Sequence, residues 1–421
     1  MNKAWRIFFL ILFLSIFSVS CSLIPDKDFS EGRGTEESPY IISNWEEFQK
    51  VTNSTPKYYK LAQDIEFVGE PLSAPLGIFY GHLDGNGKSI TNLKIIIDEW
   101  TSAAGEKVGN MGLFSEMAKG SSIDDIRIED AELLVSYAGE ATVGMLVGEK
   151  DPNSILTNVF VSGFISVIAR DGRVGGIVGK GTNFTNLTSD IFLDVISSDY
   201  DVNAGGIAGS IVGGEVDRLR SSGEIHIGGG DTLLHDKYAH AVGGIVGYLT
   251  GSMTHALSDV DLYCNVEQYD NNIGFYAGGL VGSLADESIS QSLSMGTIVS
   301  DLSNITYLGG AVGYVSSGYV LNVLAVSPII TYGTEELDDV IGGVLGKANS
   351  DSDARNVYYV NDLGFESAVA KFEDNPLYHN SVTTFELRTL TSIPNFDDTW
   401  DFSGVSYPTL NIGNLPIKGN I

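Results

Sequence analysis

One glycine phrase recurs eight times along this chain, and it constrains the fold more than any other feature. It reads "RVGGIVGKG" at residues 173–181, and returns as "TVGMLVGEK", "NAGGIAGSI", "AVGGIVGYL", "YAGGLVGSL", "YLGGAVGYV" and "VIGGVLGKA", with "NMGLFSEMA" as a looser copy. A phosphate-cradling loop occurs once per domain and opens a helix. Here every copy is followed by Ser, Gly and Asx turn residues and then by short β-type runs. Aligned on the second glycine, the copies fall at 112, 144, 176, 206, 244, 279, 310 and 343, spaced by 30 to 38 residues. A period of that size signals a stacked array.

The remainder of each unit is regular too. An apolar-x-x-apolar segment recurs at Ile123 to Ile126, Leu156 to Val159, Phe184 to Leu187, Val216 to Leu219 and Val320 to Val323. A small-residue corner follows, often Ser-Gly or Ser-Ser, and then a strictly alternating run such as "GFISV", "IFLDV", "GEIHI" or "GTIVS". Period-two alternation marks a half-buried strand. Each unit therefore reads as three short strands around one turn of a coil, with identical positions stacked between turns. The glycines are expected to form a column where the backbone bends sharply or takes positive φ.

The expected architecture is all-β: a right-handed parallel β-helix or β-solenoid of about eight coils of 30–38 residues, with capping modules at both ends. Residues 1–20 read as an export leader, 21–34 as a flexible tether, 35–110 as an N-terminal β module and cap, 111–360 as the repeats and 361–421 as a C-terminal cap. Residues 44–52 form the one plausible helix, with Ser43 or Asn44 as N-cap. Asp84-Gly85-Asn86-Gly87 reads as a turn between two strands.

In the leader, Lys3 and Arg6 precede an apolar run from Ile7 to Val19 that is too short for a typical membrane span. Ser18-Val19-Ser20 has the form of an ordinary cleavage site. Ser20-Cys21 also resembles a bacterial lipobox, although Ser18 stands where that motif usually has Leu. On that reading Cys21 is acylated, becomes the mature N-terminus and tethers the chain to a membrane. The expected location is the bacterial cell envelope, as an outer-surface lipoprotein, or else the periplasm or medium. Cys264 is then the one remaining cysteine, read as a small buried residue on a strand.

The 54 acids against 24 bases leave a net charge of −30, which repels DNA, RNA and anionic lipid. Nucleic acid is excluded as a partner. Neutral glycans and proteins remain.

Taken in order, "GTEESPYIIS", "YYKLAQDIEF", "YGHLDGNGKSITNL", the first "GLF", the recurrent "GGIVG" and the late "YPTL" resemble the GLUG-motif proteins over roughly residues 32–412. That group comprises bacterial exported and surface proteins, including adhesin-like and immunoglobulin A peptidase-associated members. The resemblance implies a β-solenoid at the cell surface and no single activity, since the motif accompanies different appended domains. The chain carries no zincin motif, so it resembles the repeat part alone.

Candidate chemistry is sparse. His226, His235, His240 and His255 fall close together, but without the tight spacing of a zinc site. No cofactor is expected, and calcium is the ion that stacked acidic loops would suit best. Asp124-Asp125, Asp338-Asp339 and Asp397-Asp398 are adjacent pairs, whose side chains on a strand point to opposite faces. Arg170 and Arg173, or Arg218 and Arg220, are the nearest approach to the base that a polysaccharide lyase places beside its acids.

The segments of variable length, 196–204, 228–242, 264–277, 300–308 and 331–341, carry tyrosine beside acid or amide. Tyr200, Tyr238, Tyr269, Tyr276, Tyr307 and Tyr332 are the candidate ligand-binding residues, on one loop-bearing edge of the coil. The expected function is a surface-anchored, non-enzymatic, adhesin-like lipoprotein that binds an extracellular glycan or protein. The alternative is a β-helix enzyme, lyase or glycoside hydrolase, that degrades polysaccharide.

Overall fold

A computed structural model describes residues 28–52, 55–99, 108–197, 201–229, 240–265, 275–300, 306–332, 341–372, 378–382, 395–401 and 409–410. They form a parallel β-solenoid, built from one sheet of 22 strands and a second of 10. Each coil is one long arm and one short arm. Ile155–Gly175 is followed by Val178–Gly181, and Ser122–Gly144 by Val147–Lys150. Successive long arms pair in register, with Val161 opposite Ser189 and Ser189 opposite Ser221, and so do successive short arms.

The glycine phrase is the arch that joins the two arms. Of the two expected reasons for the glycine column, the sharp bend is present at the arch, whereas its three glycines do not take positive φ; the residues that do lie elsewhere. They are required because the arms touch backbone to backbone. A Cβ on Gly247 would stand 2.5 Å from the Ala204 nitrogen and 2.7 Å from the Gly209 oxygen of the preceding coil. On Gly313 it would stand 2.6 Å from the Ala277 nitrogen. Real Cβ atoms do not approach so closely, so any side chain here would push the arms apart. The second glycine meets the small-residue corner: a Cβ on Gly206 would overlap Ser221 Oγ, on Gly244 Ser258 Oγ, and on Gly279 it would lie 2.7 Å from Ser294 Cβ. The ladder also sets Gly144 opposite Gly175, so Gly144 is a first glycine and belongs one place earlier than the sequence alignment put it.

The long arm bends in the middle of each apolar-x-x-apolar segment. Its second x is left-handed in every coil: Asp125, Asn158, Asn186, Arg218, His255, Gln291, Asn322 and Asn356 have φ between 49° and 57°. Asn and Asp tolerate this region better than other side chains. Here they also bond along the column. Asn186 Nδ2 donates to Asn158 Oδ1 and Asn356 Nδ2 to Asn322 Oδ1 at 3.0 Å, while Asn158 Nδ2 donates to Asp124 Oδ1, beside the column, at 2.8 Å.

Stacked aliphatics fill the interior. Val174, Ala204, Val242, Ala277 and Leu308 form one buried file, and each larger aliphatic contributes about 1.5–3 kcal/mol by leaving water. Lys150 breaks the apolar rule. It is buried in a short-arm file between Met117 and Gly181, and its ammonium donates to the carbonyls of Asp151, Ser154 and Thr182 at 3.2, 2.8 and 2.8 Å. Gly181 leaves room for it, since a Cβ there would meet Lys150 Cβ at 3.0 Å.

The parallel ladder begins before the repeats. Tyr40–Ile42, Tyr58–Leu61 and His82–Thr91 pair in parallel and feed the same sheet. The Asp84–Gly87 sequence is a bulge within one strand instead of a hairpin turn, with Asn86 and Gly87 at positive φ. The helix is one turn, Trp45–Phe48, capped by Asn44, whose Oδ1 accepts from Glu47 N at 2.9 Å. Trp45 and Phe48 are buried beside Phe67 and Phe114 at this end of the coil. At the other end the ladder runs past residue 361, through Val369–Phe372 and Tyr378–Val382.

Candidate binding edge

The long arms end in register. Ala169 pairs with Ser197, Ser197 with Gly229, Gly228 with Asn265, Cys264 with Ser300, and Ser300 with Thr331. The variable segments are therefore rooted side by side along one edge of the solenoid. Their tips, 198–200, 230–239, 266–274, 301–305 and 333–340, lie outside the described residues, and with them Tyr200, Tyr238, Tyr269, His235 and the Asp338-Asp339 pair. Cys21 and the leader lie outside them as well.

Two files of aromatic side chains flank these roots. On one side Phe164, Phe192, His226 and Tyr263 stack across consecutive coils, with ring centroids 5.5, 4.7 and 4.5 Å apart. Side chains two residues apart on a strand share a face, and these occupy neighbouring outward positions. His226 also bonds Glu224, Nε2 to Oε2 at 2.9 Å. The Tyr263 phenol is raised by burial first, then by Asp261, Glu224 and Tyr332. Tyr332 itself stands 61% exposed just beyond the strand Ile329–Thr331.

On the other side Tyr276 and Tyr307 occupy successive coils, stacked with centroids 5.8 Å apart. Tyr314, on the facing short arm, completes the cluster at 4.7 Å from Tyr276 and 6.2 Å from Tyr307. The Lys347 ammonium lies 5.2 Å from the Tyr307 centroid and 5.5 Å from that of Tyr314, within cation–π range. Asn349 Nδ2 donates to the Tyr314 hydroxyl at 2.8 Å. Burial, and then Tyr314, Tyr307 and Asp201, push the Tyr276 phenol up to about 12, so at neutral pH it is a proton donor.

The structure thus brings Tyr276 and Tyr307 together and sets Tyr332 on the opposite file near Tyr263. Sequence reading missed Tyr314 and Lys347. Both follow the third glycine, where Ser210, Tyr248, Ser283, Tyr314 and Lys347 form one short-arm column. That variable place in an otherwise fixed phrase was the available signal.

The remaining candidates separate. His240 is buried; its Nδ1 accepts from Val202 N at 3.1 Å, and burial pulls its imidazole down to about 4. His226 points outward, and His255 lies on the opposite flank between Asp217 and Asp397. Asp124 is occupied by Asn158. Arg173 bridges to Glu140 of the preceding coil, and burial raises the carboxyl of nearby Asp171. Cys264 is buried, which pushes its thiol up and leaves it unreactive.

Comparison with known proteins gives partial likenesses. No protein-family model matches the chain. The chain is similar to halomucin of Haloquadratum walsbyi, 28% identical over 43% of this chain and 2% of that protein. It is also similar to an immunoglobulin A1 protease of Streptococcus sanguinis, 24% identical over 56% of this chain and 11% of that protein. The chain thus corresponds to a small part of each relative. A crystal structure of a Bacteroides ovatus protein, provisionally named an immunoglobulin A1 protease, overlays 92% of this chain and 96% of its own at 14% identity, with a TM-score of 0.42.

Proposed function

We propose that this chain is a non-enzymatic, adhesin-like binding solenoid of the bacterial cell surface, anchored through an acylated Cys21, that grips an extracellular glycan or protein along its loop-bearing edge. The observation that carries this reading is the pair of aromatic files on either side of the loop roots. Tyr276, Tyr307 and Tyr314 offer hydroxyl-bearing edges beside the Lys347 ammonium, and Tyr263 and Tyr332 offer a second contact across the edge. Aromatic bodies with polar tips suit ligands that are part apolar and part hydroxylated. The leader and the partial likeness to halomucin and to the immunoglobulin A1 protease support an extracellular setting. They do not extend to those proteins' activities.

A glycan and host-protein array on residues 22–421 is the test. Binding should be found, and Tyr307→Ala with Tyr332→Ala should weaken it by ~5–150-fold, at about 0.5–1.5 kcal/mol per aromatic contact. Binding unchanged in the double variant would place the ligand elsewhere. The polysaccharide-degrading reading keeps one point in its favour: half-buried Arg173 lies beside Glu140, Asp171 and Asp201 on the same edge. Release of reducing ends or unsaturated uronates from a polysaccharide panel, lost in Asp171→Asn, would establish it instead.

A further inference from the structure

The flank opposite the aromatic files carries a file of residues that changes character along the solenoid. In the ladder, Arg127 stands opposite Phe160, then follow Thr188, Arg220, Leu257, Leu293, Leu324 and Tyr358. This file belongs to the outside of the coil: Leu257, Leu293, Leu324 and Tyr358 form a cluster separate from the interior. In the earlier coils it is polar or carries Phe160 under the Arg127 guanidinium, 4.3 Å from the ring centroid. It turns to leucine where residues 395–401 lie across it. Trp400 is 5% exposed against these leucines, with Phe396 packed at its side.

The same segment is held by the two left-handed corner residues that lie beneath it. Gln291 Nε2 donates to the Asn395 carbonyl at 2.7 Å, its Oε1 accepts from Asp397 N at 3.1 Å, and Trp400 Nε1 donates to its carbonyl at 3.2 Å. His255 lies between two carboxylates, Nδ1 at 2.6 Å from Asp217 Oδ1 and Nε2 at 2.8 Å from Asp397 Oδ2. In five of the other coils this corner is Asn or Asp, and Asn186 bonds to Asn158 and Asn356 to Asn322 along the column. His255 and Gln291 reach outward to the segment instead.

We propose that residues 395–401 are a displaceable strap over the apolar strip of Leu257, Leu293, Leu324 and Tyr358, and that the proton on His255 is its catch. Both imidazole nitrogens face carboxylate oxygens, so both must donate for both bonds to exist, and only the imidazolium does so. Loss of one proton leaves one carboxylate facing an unprotonated nitrogen. The charged groups around the ring are Asp217 and Arg218 on the preceding coil, with Arg218 NH1 3.5 Å from the Asp217 carboxylate, and Asp397 on the strap; the following coil presents neutral Gln291. Burial alone would lower the His255 imidazole, but the bonds from Asp397 and Asp217 outweigh it and raise it. A group raised in the docked state holds the strap fully at low pH and lets go as pH rises through that raised value.

Hydrogen exchange of the full chain, with labelling times corrected for intrinsic rate, tests this at about pH 6 and about pH 9. Amides of 395–401 should lose protection at the higher pH while the core arms keep theirs, and a dye that reports apolar surface should bind more. Histidine carbon NMR gives a second readout: the His255 resonance should titrate above the ordinary histidine range, and Asp397→Asn should return it toward that range. His255→Gln should abolish the pH dependence of strap protection. Equal strap protection at both pH values in the unaltered chain would overturn the proposal, as would the same pH dependence persisting in His255→Gln.

Discussion

Gly247→Ala, set against Gly172→Ala, tests whether close approach is what the arches require. Neither glycine has positive φ, so left-handed strain plays no part in either substitution. At Gly247 the added Cβ meets backbone on three sides: the Ala204 nitrogen at 2.5 Å, the Asn203 carbonyl carbon at 2.7 Å and the Gly209 oxygen at 2.7 Å. None of these atoms can rotate away, because each belongs to a paired strand. Relieving the overlap means parting two arms by several tenths of an ångström, a strain on the order of 1–3 kcal/mol. At Gly172 the nearest neighbours are Val174 Cγ2 at 3.4 Å and the Ala141 oxygen at 3.6 Å, which is ordinary contact. There the smaller entropy of the unfolded chain should dominate and stabilise by about 0.4–1 kcal/mol. The two alanines should therefore shift stability in opposite directions. Urea unfolding midpoints at constant slope are the right assay, since a large domain melts only about 2 °C lower per kcal/mol. Hydrogen exchange should place the Gly247→Ala damage in the 202–211 and 240–249 arms, because contacts in a stacked array are local. A Gly247→Ala midpoint at or above that of Gly172→Ala would refute the close-approach account.

The left-handed corner should be equally selective: Asn158→Ala, which keeps neither the φ tolerance nor the bond to Asp124, should cost about 1–3 kcal/mol in urea unfolding, and Asn158→Gly distinctly less. Lys150 should make stability rise with alkalinity. Burial lowers its ammonium to about 8 against an ordinary 10.5, so the unfolded chain holds the proton more tightly in that window. Relative to Lys150→Met, the unaltered chain should gain about 2 kcal/mol between about pH 7 and about pH 9.5; a flat difference would show that the carbonyl cage keeps the charge. His240 works at the acid end. With its imidazole held down to about 4, the stability present above pH 6.5 is lost as pH falls toward 4, by about 2–3 kcal/mol. His240→Phe, which copies Phe275 in the next coil of the same file, should remove that acid sensitivity in urea midpoints.

The period of the glycine phrase and the alternation of the third segment were enough to establish a parallel stack of β-coils. A residue type that returns every 30 to 38 places must meet the same surroundings each time, and only a stack supplies them. The same reasoning placed the variable segments on one edge, and Tyr276, Tyr307 and Tyr332 do flank it. What a period does not reveal is which faces of the coil meet. The second glycine and the Ser corner were both visible as separate motifs, yet Gly244 is needed because the arch lays it on Ser258 across the interior. Tyr314 and Lys347 looked like filler after a glycine until the facing arm set them against Tyr276 and Tyr307. The left-handed Asn column was hidden for the same reason: its side chains bond to the coil above or below, so the chain must turn once before the partner exists. The strap lies furthest from any local signal. Asp397 and His255 are 142 residues apart, and no repeat or spacing connects them; only the packed flank, with its leucines in need of cover, brings them together.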